Sequence, residues 1–195
     1  MKTPLYAAAL ALSATGLTST AALAAPEAYT LDAAHSQVMF TYDHLGYSTT
    51  YNMFAGWEGE IMFDKEDPAA STVDVSIPLS SFYTGWEERI KHFMGPDFFD
   101  AKEGDMLTFK STAIEVTGDD EAIITGDLTI NGITKSVQLE TELNQQGDHP
   151  MQNKPWLGFD AETKIKRSDF GLGAYAPNIS DELEVDISIE AGKAE

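Results

Sequence analysis

Apolar side chains recur at every second position along most of this chain, the signature of strands with one buried face. Val38, Phe40, Tyr42 and His44 alternate with Met39, Thr41 and Asp43. Ile61 and Phe63 alternate with Glu60, Met62 and Asp64, and Val73, Val75 and Ile77 with Thr72, Asp74 and Ser76. The same period runs through Ile124, Leu128 and Ile130, through Ile133, Val137 and Leu139, through Leu157, Phe159 and Ile165, and through Leu183, Val185, Ile187 and Ile189. Adding the segment Leu107–Val116 predicts about eight strands. In that segment Leu107 and Phe109 share one parity and Ile114 and Val116 the other, which a bulge near Ser111–Ala113 reconciles.

Turn residues punctuate the strands. Asn131-Gly132 lies between two alternating runs and predicts a hairpin, because both central positions of a type I′ turn require positive φ. Pro68, Gly118-Asp119-Asp120 and Gly147-Asp148 mark further turns. One stretch breaks the period. In Thr84–Met94, Trp86, Ile90 and Phe93 fall on one helical face, with Thr84 as the expected N-cap, Glu87 three residues on, and Gly95-Pro96 as the stop.

One-faced antiparallel strands in this number must close or pair to hide their edges. The architecture expected is all-β: an eight-stranded antiparallel lipocalin-like barrel with one short helix near an opening. A barrel of this size either fills with side chains or holds one small ligand. The inward positions Phe40, Tyr42, Phe54, Phe63, Phe109 and Phe159 are bulky and aromatic, and composition leaves both outcomes open.

The first 24 residues stand apart from this pattern. Lys2 is followed by an apolar stretch from Leu5 to Leu17 and then Ala22-Leu23-Ala24, which reads as a cleaved secretory signal peptide. The apolar stretch is shorter than the roughly 20 residues of a membrane span. Residues 1–24 are therefore expected to be removed and residues 25–195 to form one domain in the periplasm, without stable membrane insertion. Lys and Arg number 12 against 32 Asp and Glu, a formal net charge of −20. Such a surface repels phosphate backbones and anionic bilayers, which excludes nucleic acid as a partner. With no cysteine, disulfides, thiolate metal sites and cysteine nucleophiles are excluded as well.

Catalytic motifs are absent from the sequence. The histidines His35, His44, His92 and His149 show no metal-ligand spacing, and no G-x-S-x-G elbow or phosphate-binding glycine loop occurs. In His35-Ser36 a base neighbours a hydroxyl, but adjacent strand residues point to opposite faces. Two or three of His35, His44 and His92 converge if the first strand's end and the helix share one mouth, the basis of an alternative reading as a periplasmic metal-binding protein or hydrolase using a histidine cluster. The two arginines are Arg89, on the helix, and Arg167, which shares the inward parity of Phe159 and Ile165; Lys135 shares that of Val137. A cation at the rim of an apolar barrel can hold an anionic head group or pair with a neighbouring acid.

Seven segments, in order, carry a resemblance to a known family. They are Tyr29 to Ser36 (Y-T-L-D-A-A-H-S), Phe54 to Gly59, Arg89 and His92 followed by Asp97 to Asp100, Thr108 to Thr112, Gly126 to Lys135, Gly158-Phe159, and Arg167 to Gly171. Together they resemble the YceI-like family of exported, lipocalin-like polyisoprenoid-binding proteins. The resemblance implies an apolar cavity for a long-chain amphiphile: a polyisoprenoid, an isoprenoid quinone, or a fatty acid or amide. It implies no enzymatic activity and no cofactor beyond such a bound lipid. The site it implies comprises Phe40, Tyr42, His44, Phe54, Trp86, Arg89, His92, Phe93, Phe98, Phe99, Phe109 and Phe159. No catalytic residue and no metal ligand is expected, the partner is the lipid or isoprenoid itself, and a homodimer is left open. Ile90 stands where the family usually has Asp, so Arg89 needs another partner. Phe93 replaces a usual Leu and Ser136 a usual Pro, and the bulk of Phe93 and Trp86 shortens the expected cavity.

Overall fold

The computed structural model describes residues 25–195; the segment expected to be a signal peptide, residues 1–24, lies outside the described residues. Ten antiparallel strands form one sheet: β1 Glu27–Leu31, β2 Gln37–His44, β3 Ser48–Ala55, β4 Glu58–Phe63, β5 Thr72–Pro78, β6 Met106–Val116, β7 Glu121–Ile130, β8 Ile133–Asp148, β9 Pro155–Lys166 and β10 Glu182–Lys193. The one α-helix among the described residues, α1, spans Glu87–Met94. The sheet order is β1-β4-β5-β6-β7-β8-β9-β10-β2-β3, and β1 also pairs with β10. That extra pairing closes the barrel. β10 carries β2 along Glu184–Ser188 and β1 along Ala191–Lys193, so β1 and β2 act as two halves of one wall position. β4 beside β1 and β3 beside β2 do the same, and ten segments make an eight-stranded antiparallel barrel.

The break between β1 and β2 explains the opening motif. Asp32 donates its backbone N–H to the Glu190 carbonyl, and its side chain accepts from the Ala34 backbone N–H and bonds the His35 ring. The buried Ser36 hydroxyl donates to the Glu190 carbonyl at 3.3 Å and accepts the Glu190 N–H at 3.2 Å. Ser36 thus supplies the edge bonds that the strand break removes, which buried backbone groups require. His35 is exposed on the outer wall, so the His35-Ser36 pair is structural.

Two local expectations hold in detail. Asn131 and Gly132 have φ of 54° and 73° and close the β7–β8 hairpin. The register of β6 against β7 shifts between Ser111 and Ala113, so both parity sets of β6 face inward. Gly126, opposite Ser111, leaves room for a ring: a Cβ there would lie 2.3 Å from Phe109.

The helix begins later than expected. Its N-cap is Trp86, with no side-chain capping bond. Thr84 is buried instead, and its hydroxyl donates to Asn52 Oδ1 at 2.6 Å. A long-range partner on β3 outcompetes the local capping role. Glu87 and Glu88 in the first turn and Lys91 and His92 in the last complement the helix dipole. No residue of α1 is fully buried; Ile90, Phe93 and Met94 rest on the core from above.

Candidate functional site

Antiparallel connectivity puts the β2–β3 tip, the β5–β6 connection with α1, the β7–β8 hairpin and the Arg167–Asp181 loop at one end of the barrel. The β4–β5, β6–β7 and β8–β9 turns occupy the other. A cavity of about 1060 Å³ runs between them. That is at the top of the range of roughly 300–1,000 Å³ typical of small-molecule pockets. The barrel is therefore hollow, and its aromatic rings line space as well as fill it.

All twelve residues named above from the sequence border this cavity: Phe40, Tyr42, His44, Phe54, Trp86, Arg89, His92, Phe93, Phe98, Phe99, Phe109 and Phe159. Their inward parity is the physical reason for the strand members; the helix and its following loop bring the rest over one end. There the rings form a continuous stack. Phe93 lies 4.8 Å from Phe98 at an interplanar angle of 20°, 5.2 Å from Phe82 and 6.1 Å from Tyr42. Phe82 also meets Phe40, Phe54 and Phe99. Phe82 sits in a non-alternating connection, so nothing in the periodicity marks it. The remaining wall is aliphatic, drawn from the inward positions of every strand from β5 to β10.

The charged groups of the lining sit toward the two ends of the cavity, while the wall between is mostly apolar, with Thr141 and Thr163 as its inward hydroxyls. At the α1 end, Arg89 Nη1 donates to the carbonyl and hydroxyl oxygens of Thr84, each at 3.3 Å, and its guanidinium stacks 5.9 Å from the Trp86 ring. These contacts replace the family's neighbouring Asp. Arg167 is buried and donates to four backbone carbonyls, those of Ser180, Leu172, Ala174 and Ile179. Burial lowers its pKa, with Asp181 and Tyr42 opposing that shift electrostatically. It pins the Arg167–Asp181 loop, which in turn reaches the helix: Tyr175 contacts Phe98 and His92, and its hydroxyl donates to Asp97 at 3.4 Å. The Arg167 and Arg89 regions therefore belong to one end. Lys135 is exposed and borders no part of the cavity. At the opposite end the lining ends in Asp119, Asp120 and Glu121.

Among the described residues no group of three ligand-bearing side chains includes His44 or His92. His44 and His92 border the cavity, and His92 lies 3.9 Å from Asp97. Among the described residues the one group of three ligand-bearing side chains is Asp32, His35 and Glu190, outside the cavity. It contains His35 but neither His44 nor His92, so it does not unite the three histidines on which the metal or hydrolase alternative rests. There His35 is raised in pKa by its bond to Asp32, and Asp32 is lowered by the same bond. Sequence reasoning passed over Trp57, which borders the cavity and holds the one sealed side-chain donor without a partner among the described residues, its indole N–H.

Comparison with known proteins agrees with this architecture. The YceI-like domain model matches residues 29–191. Protein YceI of Shigella flexneri is 43% identical over 156 residues, covering 80% of this chain and 81% of that protein. Burkholderia cenocepacia BcnA superposes with a TM-score of 0.73 at 27% identity, over 82% of this chain and 98% of that one. A Saccharophagus degradans domain described as polyisoprenoid-binding and implicated in plant cell wall breakdown shares the fold, with a TM-score of 0.66 at 16% identity over 86% and 99%. On the match of nearly the whole barrel, with the motifs in order and the cavity in place, this chain belongs to the YceI-like family.

Proposed function

We propose that the protein is an exported carrier or sequestering protein that holds one long-chain amphiphile, a polyisoprenoid, isoprenoid quinone, or fatty acid or amide, inside the barrel. The observation that carries this reading is the cavity: long, mostly apolar through its middle, and charged only toward its ends. An extended hydrocarbon is the ligand that such a wall rewards, since each buried CH₂ contributes about 0.8 kcal/mol. A polar head stays at an end, where partners exist, because burying it unpaired costs a few kcal/mol. The polyisoprenoid-binding description of the distant Saccharophagus domain points the same way. The N-terminal pattern of Lys2, the apolar stretch and Ala22-Leu23-Ala24 supports action in the periplasm after cleavage.

Mass spectrometry of an organic extract from natively purified protein tests the reading, with one long-chain apolar molecule per chain as the expected result. Phe40→Trp or Phe159→Trp then narrows the cavity and reduces loading while the barrel survives. If no lipid co-purifies or can be loaded, and both substitutions unfold the protein, the carrier reading fails.

A further inference from the structure

Four side chains bordering the cavity are both polar and more than nine-tenths buried among the described residues: Tyr42, Trp57, Ser71 and Arg167. Three of them are accounted for. The Ser71 hydroxyl accepts the Asp64 N–H at 2.9 Å, Arg167 is committed to four carbonyls, and the Trp57 N–H is sealed from any space. Tyr42 differs. Its ring is 8% exposed, it makes no side-chain hydrogen bond to any described residue, and its hydroxyl is not among the sealed atoms, so it borders open space. Position 42 has inward parity on β2, and the ring is held against Phe93 at 6.1 Å. Arg167 borders the same cavity at the same end.

A buried hydroxyl is normally hydrogen-bonded, and one left free facing a cavity is a donor waiting for an acceptor. Resting on the carrier reading above, we infer that Tyr42 is the head-group donor of this barrel. Its hydroxyl bonds an oxygen acceptor on the ligand, a quinone carbonyl or a carboxyl group. The charge of Arg167 at the same end of the cavity favours that oxygen, and the acids Asp119, Asp120 and Glu121 at the far end disfavour it there. The head thus docks under α1 and the tail runs toward the β6–β7 turn. Phe at position 42 keeps the ring and removes only the donor, which makes Tyr42 a specificity determinant and not a packing residue.

Displacement of the neutral fluorophore N-phenyl-1-naphthylamine from the wild type and from Tyr42→Phe tests this with three probes. They are a ubiquinone with a two-isoprene tail, oleate, and squalene, which has an isoprenoid tail and no oxygen. Tyr42→Phe is expected to weaken the quinone, oleate or both by roughly five- to tenfold and to leave squalene unchanged. The infrared carbonyl stretch of the affected probe should sit at lower frequency in the wild type than in the variant. The probe that responds identifies the head. Equal weakening of all three, or of none, overturns the inference while leaving the carrier reading in place. A wild type that binds none of the three removes the carrier reading and the inference with it.

Discussion

At the α1 end of the barrel, the cavity is covered by a helix, an aromatic stack and a loop held by a buried arginine. At the opposite end it runs out among short turns and three acids, Asp119, Asp120 and Glu121. The wall between them is the same alternating β structure throughout. The wall therefore sets capacity, and the ends set direction. The two arginines that line the cavity, Arg89 and Arg167, come from the chain's long excursions, between β5 and β6 and between β9 and β10. Those excursions are long enough to fold back over the opening. The shorter connections at the other end place Pro68, Ser71, Asp119 and Asp120 at the rim.

The strongest way to break this contrast is to release the loop that builds one side of it. Arg167→Leu strands the carbonyls of Leu172, Ala174, Ile179 and Ser180, and is expected to cost about 3–5 kcal/mol in urea unfolding, in the manner of a buried charge network losing one partner. A loss below about 1 kcal/mol would mean that the Arg167–Asp181 loop is held by its other contacts. A smaller effect is expected from opening the cover. Phe98→Ala removes the ring stacked on Phe93 and leaves the buried Phe99 in place, and it should speed ligand release by about tenfold while changing uptake less, since affinity differences sit mostly in the off-rate. Stopped-flow exchange with a fluorescent fatty acid measures both rates. Asp119→Asn with Asp120→Asn should leave them unchanged for a neutral ligand; the opposite ranking would place the exit at the acidic end.

Arg89 sharpens the comparison further. It lies half-buried at the covered end, and Thr84 and Trp86 are its contacts. Arg89→Ala should weaken an oleate-type ligand by about 1–3 kcal/mol and hardly affect a quinone, read by calorimetry. The smallest effect concerns pH. Asp181 is lowered in pKa, chiefly because it accepts the Ser168 hydroxyl at 2.6 Å. A depressed carboxylate contributes stability that is present above its unfolded pKa and fades as pH falls through the folded value. Wild type should therefore lose slightly more stability than Asp181→Asn as pH drops below about 4. Solvent screening holds the difference to about 0.5 kcal/mol or less. Thermal melts of both proteins from neutral to acid pH measure it.

How much of this was legible beforehand follows from what kind of interaction fixes each part. Alternation placed the strand cores, because a pleated strand obliges every second side chain to share a face. The parity break in β6 predicted the Ser111–Ala113 bulge for the same reason, and Asn131-Gly132 predicted its hairpin because positive φ is a local property. The seven ordered motifs placed the family, while strand parity, the helical face and the loop after it account for the twelve named residues that border the cavity. β1, β3 and the split of the first wall strands around Ser36 were not legible from period alone. β1 is five residues long, too short for a period to show, and its partners lie at residues 60–63 and 191–193.

Three features were decided only by the tertiary structure. Thr84 looked like a helix cap and became a buried partner of Asn52, because a long-range bond within the core outweighs a local one at its edge. Phe82, with no periodic signal, became the ring that four other phenylalanines touch. Arg167 and Arg89, 78 residues apart in sequence, came to share one end of the cavity. By itself the sequence determined a closed, apolar-faced barrel, since pattern and turn chemistry act over a few residues. Whether that barrel was hollow, and which end carries the free hydroxyl of Tyr42, depended on how bulky side chains from distant strands share one enclosed volume, a sum that no short stretch of sequence contains.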